Sequence, residues 1–394
     1  MLNHFTISKF SPKLLEINPD SPFLHPNSYI IIKVVEEKTM NLHFSEQEMR
    51  RIKQDWIDWW TGMLDHPFFG VEAVDDSLAG LPFQYNEVTP VESEHLSAQQ
   101  ILDGIEAFGE GIHWFGGAYP KFWPNYGPGV MAAFLGSELH IRPDTVWFDP
   151  LDVRDLEEIQ PRFDPLNLWW QRVYKLTDLA TRRWKGKAMV GLTDLGGNLD
   201  ILASLRSSEK LLLDLSDSPD EVLRLSSEIT YLWMQYYDQL FDLTKGSKWG
   251  SSGWSPMWAP GKFYMLQSDF SYMISPRMFK RYVMPDLTAC CDFLEYPFYH
   301  LDGVGQLNHL DQILSIPNLR GIQWIPGAGQ PEPEEWLDVL KKIRDAGKLC
   351  QVYVSRAGME QIIAALGWQG FFFHINEDVM LTASQAREIC RELL

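Results

Sequence analysis

From about residue 65 onward the chain alternates short apolar runs with longer amphipathic segments, and this rhythm limits the possible folds more than any other feature. The runs Ala188–Leu192, Leu319–Trp324, Lys348–Val354 and Gly370–Ile375 read as buried strands. Between them, Glu334–Ala346 and Met359–Leu366 carry helical patterning. Short strands separated by helices imply parallel βαβ units. The pattern continues without a dividing linker, which favours one α/β domain over residues 40–394, a (β/α)8 TIM barrel, rather than an open doubly wound sheet. The strings Gly127-Pro128-Gly129 and Gly327-Ala328-Gly329 lack GxGxxG spacing, so a dinucleotide site has little support.

Residues 1–39 differ from the rest, with mixed polarity, one β-branched run (Tyr29–Val35) and no helical period; they read as an N-terminal extension or a translated upstream leader. A helix start follows, with Ser45 as N-cap, Glu48 three residues on, and an amphipathic stretch through Trp56, Trp59 and Trp60. This predicts a helical cap on the barrel. Further starts stand at Ser218-Pro219-Asp220-Glu221, opening a long helix to about Leu243, and at Ser275-Pro276.

The composition narrows the partners. A formal net charge of −19 argues against nucleic acid or an anionic membrane surface. No run reaches the roughly 18 to 20 apolar residues of a membrane span, and no basic-then-apolar leader opens the chain. The four cysteines (Cys290, Cys291, Cys350, Cys390) form no CxxC, which fits buried thiols in a reducing, cytoplasmic setting. Sixteen Trp, 22 Phe and 14 Tyr are a heavy aromatic load; most serve packing, but several stand in Gly/Pro-rich loops that suit a pocket wall.

The run Tyr299-His300-Leu301-Asp302-Gly303 reads as a strand end emptying into a glycine turn, so His300 and Asp302 project to the same face. In a barrel, ligands sit where strands end. That brings Asp194, His300, Asp302, Gln323, Trp324, Tyr353 and His374 toward one mouth. Each has a plainer reading. Asp194 before Gly196-Gly197 suits a helix cap as well as a ligand, and His374 in an apolar strand suits a hydrogen-bonded core residue. Asp269 reads as structural.

Several spaced motifs carry a resemblance. Asp194-Leu195-Gly196-Gly197, Asp214-Leu215-Ser216-Asp217-Ser218-Pro219, Gln267-Ser268-Asp269 with Ile274-Ser275-Pro276-Arg277-Met278-Phe279, and Tyr299–Gly303 together resemble the uroporphyrinogen decarboxylase superfamily over roughly residues 50 to 390. The resemblance implies a barrel with its pocket at the strand carboxyl ends. The decarboxylating branch carries an arginine-rich N-terminal segment and a loop aspartate. Here that segment is missing and Asn125 stands in the matching loop Trp123–Gly129. The chain is closer to the branch that moves methyl groups to and from a corrinoid carried on a partner protein. That branch binds zinc through His-x-Cys-Gly and a late cysteine; His300 matches the histidine, Asp302 replaces the cysteine, and His374 falls near the last ligand position.

The resemblance thus implies a methyltransferase acting between a small methylated (for example methoxylated) molecule and a partner-borne corrinoid (cobalamin), with zinc as a candidate cofactor on His300, Asp302 and His374. His300, Asp302 and Asp194 would do the chemistry. Asn125, Tyr126, Trp114, Trp123, Trp254, Trp258, Gln323, Trp324 and Tyr353 would bind substrate. A homodimer is the assembly to test for. The rivals are a cofactor-independent decarboxylase, which needs a carboxylate-binding arginine (Arg142, Arg206 or Arg356), and a non-catalytic binding barrel.

Overall fold

The computed structural model describes residues 42, 44–79, 96–141, 146–152, 154–244 and 250–393. The extension 1–39 and Arg142 lie outside these residues. Six strands form a parallel run: β1 (Phe69–Val74), β5 (Phe263–Leu266), β6 (Tyr296–Asp302), β7 (Gly321–Ile325), β8 (Leu349–Val354) and β9 (Phe371–Ile375), ordered β5-β6-β7-β8-β9-β1. The strand β2 (Ile112–Gly116) pairs antiparallel with β1, while β3 (Lys121–Phe122) and β4 (Met189–Val190) form a separate parallel pair.

The architecture is mixed α/β with a largely parallel central sheet. Backbone hydrogen bonds continue beyond the β1 edge: Gly117 N donates to Phe69 O (2.7 Å), Met189 N to Pro120 O (2.8 Å), Gly191 N to Phe122 O (2.7 Å) and Leu192 N to Ser252 O (2.9 Å). Gly191 permits this contact, because a Cβ there would sit 2.6 Å from Gly253 O.

The expected strands are present, with β4 shorter than its apolar run predicts. The helix Pro219–Thr244 matches its expected span, and Ser275 caps the helix Pro276–Tyr282. That helix ends at Tyr282, and after Val283 a second helix, Met284–Phe293, begins with Pro285 in its first turn. Aliphatic and aromatic side chains on the outer face of the strands and inner faces of the helices make one large core, including Leu225, Ile229, Leu301 and Ile322. Among the described residues, no helix is long and apolar enough to cross a membrane.

The helix α1 (Glu46–Thr61) sets the floor of the interior. Its capping box forms as expected: Glu48 N donates to Ser45 Oγ (3.2 Å) and Ser45 N to the Glu48 carboxylate (2.6 Å). Three indoles reach the strand starts, Trp56 donating to Gly117 O (3.0 Å), Trp59 to Phe371 O (2.9 Å) and Trp60 to Trp258 O (2.8 Å). They pack with Phe68, Met189, Phe263, Phe298 and Phe372 into a second apolar cluster that fills the amino-terminal end.

Candidate functional site

Parallel register shows which residues look inward. Phe298 pairs with Gly321, His300 with Gln323, Gln323 with Gln351, Tyr353 with His374, and Gly70 with His374. Paired residues share a face, and the face alternates along each strand. His300, Asp302, Gln323, Gln351, Tyr353, His374 and Glu72 therefore line one side, joined by Lys121 beside Met189. The interior of a parallel barrel-like sheet is ordinarily filled by branched apolar side chains. Here the lowest rung is apolar and the rungs above it are polar, which marks a site rather than a core.

His300 is the most constrained of these groups. Gln323 Nε2 donates to Gln351 Oε1, so Gln323 Oε1 is left to accept from His300 Nδ1–H. That fixes the tautomer and leaves Nε2 as the working atom, 3.9 Å from Asp302 Oδ2. The Trp254 ring meets the imidazole edge-on, with centroids 5.1 Å apart. Burial pushes the His300 pKa down, opposed by the Asp302 charge and the Gln323 hydrogen bond. The side chain of His300 is 16% exposed and that of Asp302 44%, so the pair leads from the interior to solvent.

A lysine holds the wall opposite. Lys121 Nζ donates to the carbonyls of Gly253 (3.3 Å), Trp254 (3.0 Å) and Ser255 (2.7 Å), pinning the turn that carries Trp254. Burial raises the Glu72 pKa, with Lys121 pulling it back. His374 is pushed down to about 3, by burial first and the Lys121 charge second, so it is a neutral imidazole.

Carboxyls gather at the upper rim. Asp194 is buried, its Oδ1 accepting from Gly196 N (2.8 Å), and burial pushes it up to about 7. The Thr193–Leu195 turn is tied to β5, since Leu195 N donates to Tyr264 Oη (2.6 Å), which itself donates to Thr193 O (3.2 Å). Asp200 accepts from the backbone N–H groups of Asp269 (3.0 Å) and Phe270 (2.6 Å). Asp269 keeps a solvent-facing side chain, yet its carboxyl is shifted upward by surrounding protein and then by Asp194 and Asp302. Solvent tempers that shift.

The structure divides the expected site residues. His300, Asp302, Gln323, Tyr353 and Trp254 lie on or against the inner face, and Trp123 sits beside Gly191 at its Cβ. Asn125 closes its own turn, accepting from Gly127 N at 2.9 Å. Trp324 is a correction: one residue from Gln323, it points outward into the core against Trp336. Tyr126 is likewise core, edge-on to Trp169. Trp258 belongs to the α1 floor, and Trp114 packs on Phe44 at the flank of β2.

The expected metal set is not assembled. Among the described residues, no three or more His, Cys, Asp or Glu side chains gather as a metal site. His300 and His374 stand on strands separated by β7 and β8, whose Gln323 and Gln351 are hydrogen-bonded to each other. Of the arginines a decarboxylase would need, Arg206 is bound to Asp214 (2.7 Å) and Arg356 to Glu360 (3.0 Å). Glu72, Lys121, Gln351 and Asp200 were not anticipated. A single polar residue inside an otherwise strand-like run was the available signal for Lys121 and Gln351.

No family model and no curated protein matches the chain. Among solved structures it is similar to a methyltransferase from Methanosarcina mazei, at 11% identity and a TM-score of 0.55, covering 86% of this chain and 99% of that one.

Proposed function

We propose that the sheet closes into a (β/α)8 barrel of the uroporphyrinogen decarboxylase superfamily and that the chain is a methyltransferase. On this reading it moves a methyl group between a small methylated molecule and a corrinoid on a partner protein. Closure is supported by the hydrogen bonds running from Phe69 through Gly117, Phe122 and Leu192 to Ser252. The activity is supported by the likeness to the Methanosarcina mazei methyltransferase together with the motifs around His300. Its single strongest support is the tautomer-locked imidazole facing a carboxylate at the end of β6.

When bound on its partner, a cobalt(I) corrinoid supplies the nucleophile. The chain's task is then the departing oxygen or nitrogen, a poor leaving group unless protonated. His300 Nε2 takes a proton, Asp302 stabilises the resulting imidazolium, and the proton passes to the leaving atom. Trp254 and Trp123 give the substrate an apolar wall. This route needs no metal from the chain, and no step is assigned to zinc, whose donors are not gathered.

The test is methyl transfer from methoxylated donors to a cobalt(I) corrinoid, followed by the corrinoid spectrum. His300→Ala is expected to lose about 100- to 10,000-fold in rate with its circular dichroism unchanged. Turnover of that variant at the unsubstituted rate would remove His300 from the mechanism.

A further inference from the structure

Next to the His300 relay, Gln351 and His374 each carry a buried polar atom with no partner among the described residues, as does Trp254 Nε1. Gln351 is 0% exposed and its Oε1 is taken by Gln323, but its Nε2 has no partner. His374 is 3% exposed and its Nδ1 also has none. They stand on adjacent strands and on the same face, because Gln351 pairs with Phe372 and His374 follows two residues later. Diagonal neighbours of this kind lie within reach of a common small group. Buried donors and acceptors left unpaired are rare and costly in native proteins.

The chemistry narrows what can serve both. An amide N–H needs an acceptor, and a neutral imidazole offers one lone pair and one N–H. A hydroxyl oxygen can accept from Gln351 Nε2 while its proton goes to the imidazole. Water can do the same, but it ordinarily makes about three hydrogen bonds. The surroundings are mixed: Tyr353 lies 5.2 Å and Phe372 6.4 Å from the His374 ring, centroid to centroid, while the Lys121 charge also acts on it and Glu72 shares its face. An organic hydroxyl needs only the two polar contacts and turns its carbon skeleton to the rings.

We infer that Gln351 and His374 form a subsite for the hydroxyl group of a flat aromatic alcohol or phenol, lying across the interior with its other end toward His300 Nε2. This rests on the proposed activity only in taking that ligand to be the substrate or its demethylated product. The hydrogen-bonded chain from Gln351 through Gln323 to His300 then joins the hydroxyl anchor to the reactive imidazole.

Fluorine NMR on the full chain tests it, with para-fluorophenol as probe and para-fluorotoluene as its hydroxyl-free match. The unsubstituted protein should bind the phenol about tenfold more tightly. Gln351→Met and His374→Phe should each erase most of that preference while leaving the toluene affinity as it was, with thermal unfolding confirming that both variants fold. Equal binding of the two probes by the unsubstituted protein would mean that water serves these groups, and would overturn the subsite whatever the variants do. The measurement requires no corrinoid or partner, so it stands or falls separately from the His300→Ala turnover test.

Discussion

At the scale of the residue, face parity decides what each side chain can do. His300 and Asp302 share a face because they are two apart, and that much was legible from the sequence. The same rule would have excluded Trp324, which neighbours Gln323 and so points the other way. Glu72, Lys121 and Gln351 were hidden for another reason: their partners come from distant parts of the chain, 133 positions away for Lys121 and Trp254. A lone polar residue in a strand-like run marks Lys121 and Gln351 as unusual, but nothing local names the partner each will meet. The His300–Asp302 pair has a testable electrostatic consequence. Asp302 opposes the burial that lowers the His300 pKa, so Asp302→Asn should lower it further. If protonated His300 is the acid, activity falls as pH rises through that pKa. The pH–kcat/KM profile of Asp302→Asn should then shift toward acid, by an amount on the order of one unit. An unshifted profile would detach Asp302 from the proton transfer.

At the scale of the element, caps and prolines were read well and short strands were not. The Ser45–Glu48 box and the Ser275 cap are local hydrogen bonds written in adjacent residues, so their helices start where expected. The strand β4 is shorter than its apolar run because, after Gly191 N bonds to Phe122 O, Leu192 N turns to Ser252 O. What patterning could not show is that α1 turns its tryptophans onto the strand starts rather than onto another helix. Trp59 alone contacts Trp56, Trp60, Phe68, Phe298 and Phe372 and donates to Phe371 O. Trp59→Ala should therefore cost about 3–5 kcal/mol of stability, read from urea unfolding midpoints. A loss under about 1 kcal/mol, the scale of an ordinary surface change, would show that α1 packs only loosely.

At the scale of the whole molecule, buried carboxyls and imidazoles pull stability in opposite directions with pH. Burial pushes Asp194 and Asp286 up to about 7 from the ordinary carboxyl value of 3.8. Their stabilising contribution is complete below about 3.8 and fades as pH rises through about 7. His374, lowered to about 3, contributes fully above the ordinary imidazole value of 6.5 and loses that contribution as pH falls. Asp194→Asn separates the two effects, since the amide oxygen can still accept from Gly196 N but carries no charge. Relative to the unsubstituted protein the variant should gain stability as pH rises from about 4 to about 7, by up to a few kcal/mol. A difference that stays flat across that window would show Asp194 to be ionised in the fold.

The indole floor laid by α1 has a last consequence for traffic. With that end filled by indoles, the polar face that carries His300 is open to solvent on the side of Asp302, whose side chain is 44% exposed. On the proposed methyl-transfer reading, a small reactant would then have to be seated before a bulky partner covered that side.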